Sequence, residues 1–199
     1  KLLEYAHNNN IEAFSLLFDK SLVNKEFLDE IFKYGVEFIE IIMDKDFDNW
    51  NLGMKYATKK GNKELINFFI EKGANFWSEG MRVAAKGGNK DLVLFFIEKG
   101  AKYWSRGMKG AAQGGYKELI DFFIEKGAKD WNEGMQGAAK GGHEDLVDFF
   151  IDKGANNWYW GMYAAAKGGH KELVLFFIKE GANAWNEGMY NAAYGGHKE

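Results

Sequence analysis

His143, His170 and His197 recur at intervals of 27 residues, each directly behind a Gly-Gly pair. Evenly spaced imidazoles first suggest a metal ladder, but geometry argues against it. Layers of packed helices stand about 8–10 Å apart, whereas zinc gathers its ligand atoms within about 2.0–2.3 Å of one centre. His7 stands alone. The carboxylates Glu118, Glu144, Asp145 and Glu172 fall where helices should begin, close to the positive end of the helix dipole, and are expected to face solvent. There is no Gly-rich phosphate loop, no nucleophile elbow, no HExxH pair and no cysteine. The expectation is a chain without catalytic activity, metal or cofactor. What remains is the chemistry of recognition. Its candidates are the aromatic residues Tyr159, Trp160, Tyr163, Tyr190 and Tyr194 and the cations Arg82, Arg106 and Lys109.

A repeat has to position these residues. Trp50, Trp77, Trp104, Trp131, Trp158 and Trp185 are spaced by 27, and Met54, Met81, Met108, Met135, Met162 and Met189 keep step four residues behind. A fixed period between about 20 and 50 residues marks stacked units that bury their apolar faces only against their neighbours. Counting from each tryptophan as position 1, every unit should fold as two short antiparallel helices. The first runs through Gly-Met-x-x-Ala-Ala for about two turns, with alanines such as Ala138 and Ala139 admitting a neighbouring backbone. A pair such as Gly141-Gly142 breaks it. The second helix starts after Asn62, Asn89 or His143 and carries Leu146, Val147, Phe149, Phe150 and Ile151 as a wide apolar arc. Gly154 stands where a left-handed cap belongs.

On this reading residues 1–199 form a single repeat domain: 1–49 hold two worn capping repeats, 50–184 five regular ones, and 185–199 a truncated sixth. Because Glu199 falls inside a repeat, the sequence is expected to be a fragment of a longer protein. Apolar residues at 46% argue for a packed core. The 26 basic and 29 acidic residues are interleaved and sum to −3, so no global field points to nucleic acid or membrane. No apolar run approaches the roughly 18 residues of a membrane span, and no signal peptide is visible. The absence of cysteine favours an intracellular setting.

The segment Ala-Ala-Lys-Gly-Gly-His-Glu-Asp-Leu-Val-Asp-Phe-Phe-Ile-Asp-Lys-Gly-Ala at 138–155 resembles the ankyrin repeat, and the match recurs in every regular unit. Met135 stands where ankyrin has the leucine of its Thr-Pro-Leu-His motif, with Gly134 for the proline and Gln136 for the histidine. An ankyrin unit has about 33 residues. The residues absent here fall between Gly-Ala and the first helix, where ankyrin repeats build a projecting β-hairpin. The resemblance implies an all-α solenoid of helix-turn-helix units without those hairpins, each closed by a tight turn pinned by the tryptophan. It also implies histidine rings bonded to local backbone, and partner binding on a concave first-helix face. Shortened, tryptophan-marked units are similar to ankyrin-like arrays of giant DNA viruses of amoebae, which implies a cytoplasmic setting, in the host cell or in the virion.

Positions 2, 3, 6 and 10 vary between repeats and are expected to be the ones free for recognition. Position 6 reads Lys55, Arg82, Lys109, Gln136, Tyr163 and Tyr190; positions 3 and 10 add Lys59, Lys86, Arg106, Lys140 and Lys167. A basic zone therefore precedes an aromatic one. Trp160, the one tryptophan outside the ladder, lies three residues before Tyr163 on one helix face. Exposed aromatics and arginine are the usual anchors of protein interfaces. The expected function is a non-enzymatic scaffold that binds another protein; the alternative is a structural component of a larger assembly such as a virus particle. A pI of 5.9 disfavours nucleic acid.

Overall fold

The computed structural model describes residues 2–12, 31, 38 and 50–182, in two compact units, Lys1–Phe76 and Trp77–Glu199. Among the described residues there are eleven helices and no strand. The first unit holds α1 (Leu2–His7), α2 (Trp50–Lys60) and α3 (Lys63–Glu71). The second holds α4 (Trp77–Lys86), α5 (Lys90–Glu98), α6 (Trp104–Gly114), α7 (Lys117–Glu125), α8 (Trp131–Gly141), α9 (Glu144–Asp152), α10 (Trp158–Gly168) and α11 (Lys171–Lys179). Each regular repeat is thus one helix pair. Most of the capping segment 1–49, and the partial repeat 185–199 with Trp185, Met189, Tyr190, Tyr194 and His197, lie outside the described residues.

The first helix of each pair is longer than its sequence suggested, at 10 or 11 residues. It begins at the tryptophan itself, and in the last three complete pairs it runs through the first glycine of the Gly-Gly pair. Only the second glycine breaks the helix. Gly142 does so as a left-handed cap with φ 79°, a conformation that costs a side-chain-bearing residue dearly. The second helix then starts on a capping residue. Asn62 and Asn89 each accept from the backbone N–H three residues on, at 3.0 Å, which satisfies one of the orphan donors of a helix start.

Within a pair, a large ring is seated on a missing side chain. Phe69, Phe96, Phe123, Phe150 and Phe177 are fully buried. A Cβ on Gly134 would overlap the Phe150 ring, and Gly53, Gly80, Gly107 and Gly161 stand in the same relation to their own phenylalanines. The adjacent Phe149 meets Phe150 edge to face at 5.2 Å and is covered by Lys153, whose ammonium lies 5.5 Å from the ring centroid. Replacing such a ring by alanine costs about 3–5 kcal/mol. Met54, Met81, Met108, Met135 and Met162 are buried as the gap-fillers between helices. Thr58 is the one buried polar residue among those described; its hydroxyl donates to the Met54 carbonyl at 2.7 Å.

Between pairs of the second unit, α4 packs on α6, α6 on α8 and α8 on α10. The approach is backbone to backbone. A Cβ on Gly110 would overlap the Arg82 carbonyl oxygen, and one on Gly137 the Lys109 carbonyl oxygen. One turn further on, Gly114, Gly141 and Gly168 face the carbonyls of Lys86, Gln113 and Lys140 in the same way. At the place of Gly137, α10 carries the buried Ala164, so the α8–α10 junction admits a methyl group that the α6–α8 junction does not.

Gly137→Ala should therefore destabilise, although alanine is the better helix former by about 1 kcal/mol. Overpacking against a fixed carbonyl typically costs about 1–3 kcal/mol. Gly87→Ala, where a Cβ meets only its own helix end at 3.5 Å, should be close to neutral. Denaturant unfolding of both variants checks the contrast; equal midpoints would mean that the helices slide apart without cost.

Candidate recognition surface on the first helices

Position 2 proves to be structural, contrary to its expected freedom. Asn132 Oδ1 accepts from the backbone N–H groups of Asn156 and Asn157 at 3.0 and 2.9 Å, and Asn51 does the same for Asn75 and Phe76. Ser78 and Ser105 make the weaker equivalents, to the N–H groups of Lys102 and Asp130. In the first four regular repeats the closing turn is thus clamped by a side chain from the first turn of its own first helix. Trp50, Trp77, Trp104, Trp131 and Trp158 are half-buried, and Trp77 comes only within 3.8 Å of where a Cβ on Gly100 would sit. Hydrogen bonding, which a search for variable positions overlooks, is why position 2 alternates between Asn and Ser. Tyr159 interrupts the series, which the sequence resumes with Asn186.

Positions 3 and 6 form ion pairs along the same face. The Arg82 guanidinium makes two hydrogen bonds to the Glu79 carboxylate, at 2.8 and 2.6 Å. These bonds raise the Arg82 pKa, against the opposing effect of burial, and the charges of Glu79 and Glu133 add to the rise. Lys109 Nζ donates to Gln136 Oε1 at 2.8 Å, one repeat on, and lies 3.8 Å from Glu133. Lys109 and Gln136, both at position 6, therefore touch from one repeat to the next. Arg106 is exposed, its guanidinium 5.2 Å over the Tyr103 ring. It lines an open cleft of ≈ 420 Å³ between successive turns, with Asp130 and Glu133 opposite. In the first unit Lys55 and Lys59 are exposed on α2.

Position 10 carries lysine at Lys59, Lys86, Lys140 and Lys167. Lys140 is half-buried, and its pKa is lowered first by that burial and then by the like charges of Lys167, Lys86, Arg82 and Lys109. The glycine contacts explain the crowding: Gly141 and Gly168 press on the carbonyls of Gln113 and Lys140, so position 10 side chains leave neighbouring helices from almost touching backbones.

The aromatic zone continues this row. Asn157 caps α10 by accepting from the Trp160 N–H at 3.2 Å. Trp160 meets Tyr159 at 5.2 Å and Tyr163 at 5.3 Å, both edge to face, and Lys167 lies 6.0 Å over Tyr163. Trp160 remains 43% exposed while its two tyrosine neighbours are half-buried. The structure thus gathers Tyr159, Trp160, Tyr163 and Lys167 in one place, and sets Arg82 and Lys109 along the neighbouring helices. It keeps Arg106 apart, in the first turn of α6 beside the Tyr103 ring.

His143 and His170 serve contacts between repeats. His170 Nε2 lies 3.2 Å from the Lys140 carbonyl oxygen of the preceding pair, so its partner is the neighbouring repeat and not the local backbone. Its ring also covers Gly142, and the His143 ring covers Gly115. Neither histidine caps its own helix, as the asparagines at the same position do. Asp145 pairs with Lys117 across the starts of α9 and α7 at 2.9 Å, which lowers its pKa, in full solvent. Among the described residues no three His, Asp or Glu side chains converge as a metal site, and no helix is long and apolar enough to cross a membrane. No protein-family model matches the chain, and no curated protein is similar enough to count as a relative.

Lys140 yields a signed prediction. Its folded pKa lies below that of the unfolded chain, so the unfolded state holds the proton more tightly and stability rises as pH climbs through the depressed value towards the ordinary 10.5. At neutral pH the charge is a burden. Lys140→Gln should raise the melting temperature, most at low ionic strength, since the screening length shrinks from about 30 Å at 0.01 M salt to about 8 Å at 0.15 M. Thermal melts at both salt levels test this; a variant that melts lower would mean that the lysine is held by favourable contacts.

Proposed function

We propose that the chain is a non-enzymatic interaction module, a solenoid of shortened ankyrin-like helix pairs that holds a protein partner on the exposed face of its first helices. The carrying observation is the aromatic corner of α10. Trp160 is braced edge to face by two tyrosines, fixed at its backbone by the Asn157 cap, and yet exposed. A rigid amphipathic ring loses little entropy on binding, which is why tryptophan and tyrosine dominate interface hot spots. The helix pairs supply spacing and rigidity, and their recurring residues are occupied in packing. What varies on the first helices at positions 3, 6 and 10 is left to specify the partner. An intracellular array of this kind, in an infected host cell or in a virion, would need no activity of its own.

A structural role in a larger assembly is the second reading. It is favoured by Leu175, 56% exposed on α11, and by the exposed Leu94 on α5, which offer the second helices an apolar surface for lateral packing.

Affinity capture with the tagged chain, beside a Trp160→Ala/Tyr163→Ala variant, separates the two. A module should lose one discrete partner in the variant, with ΔΔG of about 2 kcal/mol or more for an anchor residue. Recovery of further copies of the chain and bulk assembly proteins, equally with both forms, would favour the structural role.

A further inference from the structure

The second helices carry lysine at two fixed places, and the pattern reverses in one spot. Position 14, the first residue of the helix in four repeats, is Lys63, Lys90, Lys117 and Lys171, but in the fourth regular repeat it is Glu144. Position 23, just behind the helix, is Lys72, Lys99, Lys126 and Lys153, but in the fifth it is Glu180, with the lysine one place earlier at Lys179. The four position 23 lysines each lie over the ring of the phenylalanine four residues before, at 5.4–5.6 Å. In the fifth repeat the ring at that place is Phe176, which is half-buried.

Both reversals meet in one cleft. Glu144 and Asp148 of α9 and Glu172, Leu173 and Phe176 of α11 line a space of ≈ 240 Å³. One repeat earlier, the residues equivalent to Glu144 and Glu172 are Lys117 and Asp145, which form an ion pair at 2.9 Å. Here a carboxylate replaces that lysine opposite a carboxylate, beside a ring whose usual lysine is also an acid. The cleft therefore offers an aromatic ring and three exposed carboxylates where neighbouring steps carry their own cations. Leu175, next to Phe176, is 56% exposed and adds apolar surface on the same helix.

We infer that this cleft receives an arginine side chain from a partner polypeptide, its guanidinium bridging Glu144 and Glu172 and its plane lying against Phe176. Arginine fits better than lysine, because its planar fork binds carboxylates at two points and stacks on aromatic faces. A bare metal ion fits poorly: Leu173 and Phe176 supply no ligand atoms, and among the described residues no three acids or histidines converge on a metal position. Nucleic acid would be repelled by the three carboxylates. The site lies on the second helices and stands apart from the first-helix surface proposed above.

The test is fluorescence anisotropy with the whole chain and a short labelled peptide whose core is Arg-Leu-Leu-Arg in a Gly-Ser background. Binding should weaken with added salt, as exposed ion pairs do. Glu144→Lys should weaken it by about three- to tenfold. That variant restores the residue type of the other repeats, so its melting temperature should not fall, and the loss cannot be attributed to unfolding. Glu180→Lys, which returns a lysine to the place beside Phe176, should weaken binding by about two- to fivefold. Trp160→Ala should leave it unchanged, so failure here and failure of the first-helix reading are distinguishable. A peptide that does not bind at low salt overturns the inference, as does equal affinity in the parent and Glu144→Lys. Binding lost in Trp160→Ala would move the peptide to the aromatic corner, and displacement by calcium chloride at constant ionic strength would assign the carboxylates to a metal ion; either overturns it.

Discussion

The nearest approach between repeats is made by backbone, and the rest of the second unit follows from it. A carbonyl oxygen on one first helix occupies the space where the next would carry a Cβ, at Gly110, Gly137, Gly114, Gly141 and Gly168. Such contacts allow no compromise in size, because a peptide carbonyl cannot rotate away as a side chain can. They hold successive first helices in one register. Bulk is shifted to the second helices, where Phe96, Phe123, Phe150 and Phe177 fill the space against glycines of their own pair. Small residues thus join the units and large ones fill them.

That register explains the electrostatics. Side chains at equal repeat positions leave closely spaced backbones, so they interact whether or not the interaction is favourable. Where the chemistries match, the result is a bond, as between Lys109 and Gln136. Where they are alike, the result is repulsion, as around Lys140. An isolated surface lysine would swing into solvent at little cost. Here burial of its stem and the neighbouring cations both act on one ammonium group, and the strain is retained as surface potential.

Much of this was legible in the residues. The 27-residue period, two helices per unit, the Asn caps, the left-handed Gly154 (φ 107°) and the burial of Met and Phe follow from spacing and residue type. The exceptions share a cause. First helices are three turns because Trp-x-x, which has no helix signal of its own, is drawn into the helix by the turn before it. Asn51 and Asn132 looked variable because Ser can do a weaker version of the same task. Gly141 read as part of a helix break, since sequence shows propensity but not what stands opposite. His170 bonds one repeat back, a contact between residues 30 apart that no local pattern discloses. Of the recognition candidates, Trp160 and Tyr163 were placed by simple helical spacing, whereas the pairing of Arg82 with Glu79 emerged only from the side-chain geometry.

The Lys109–Gln136 contact spans one repeat length and no more. A gene copying or losing one 27-residue block among the repeats that carry Gly114, Gly141 and Gly168 would rejoin at that glycine step, with the new neighbours meeting there as the old ones did. Such an event would leave the packing intact and change only the order of side chains displayed along the face. The molecule can therefore acquire or shed a letter of its surface text in one genetic step, whereas an ordinary globular core would need many compensating substitutions to absorb the same change.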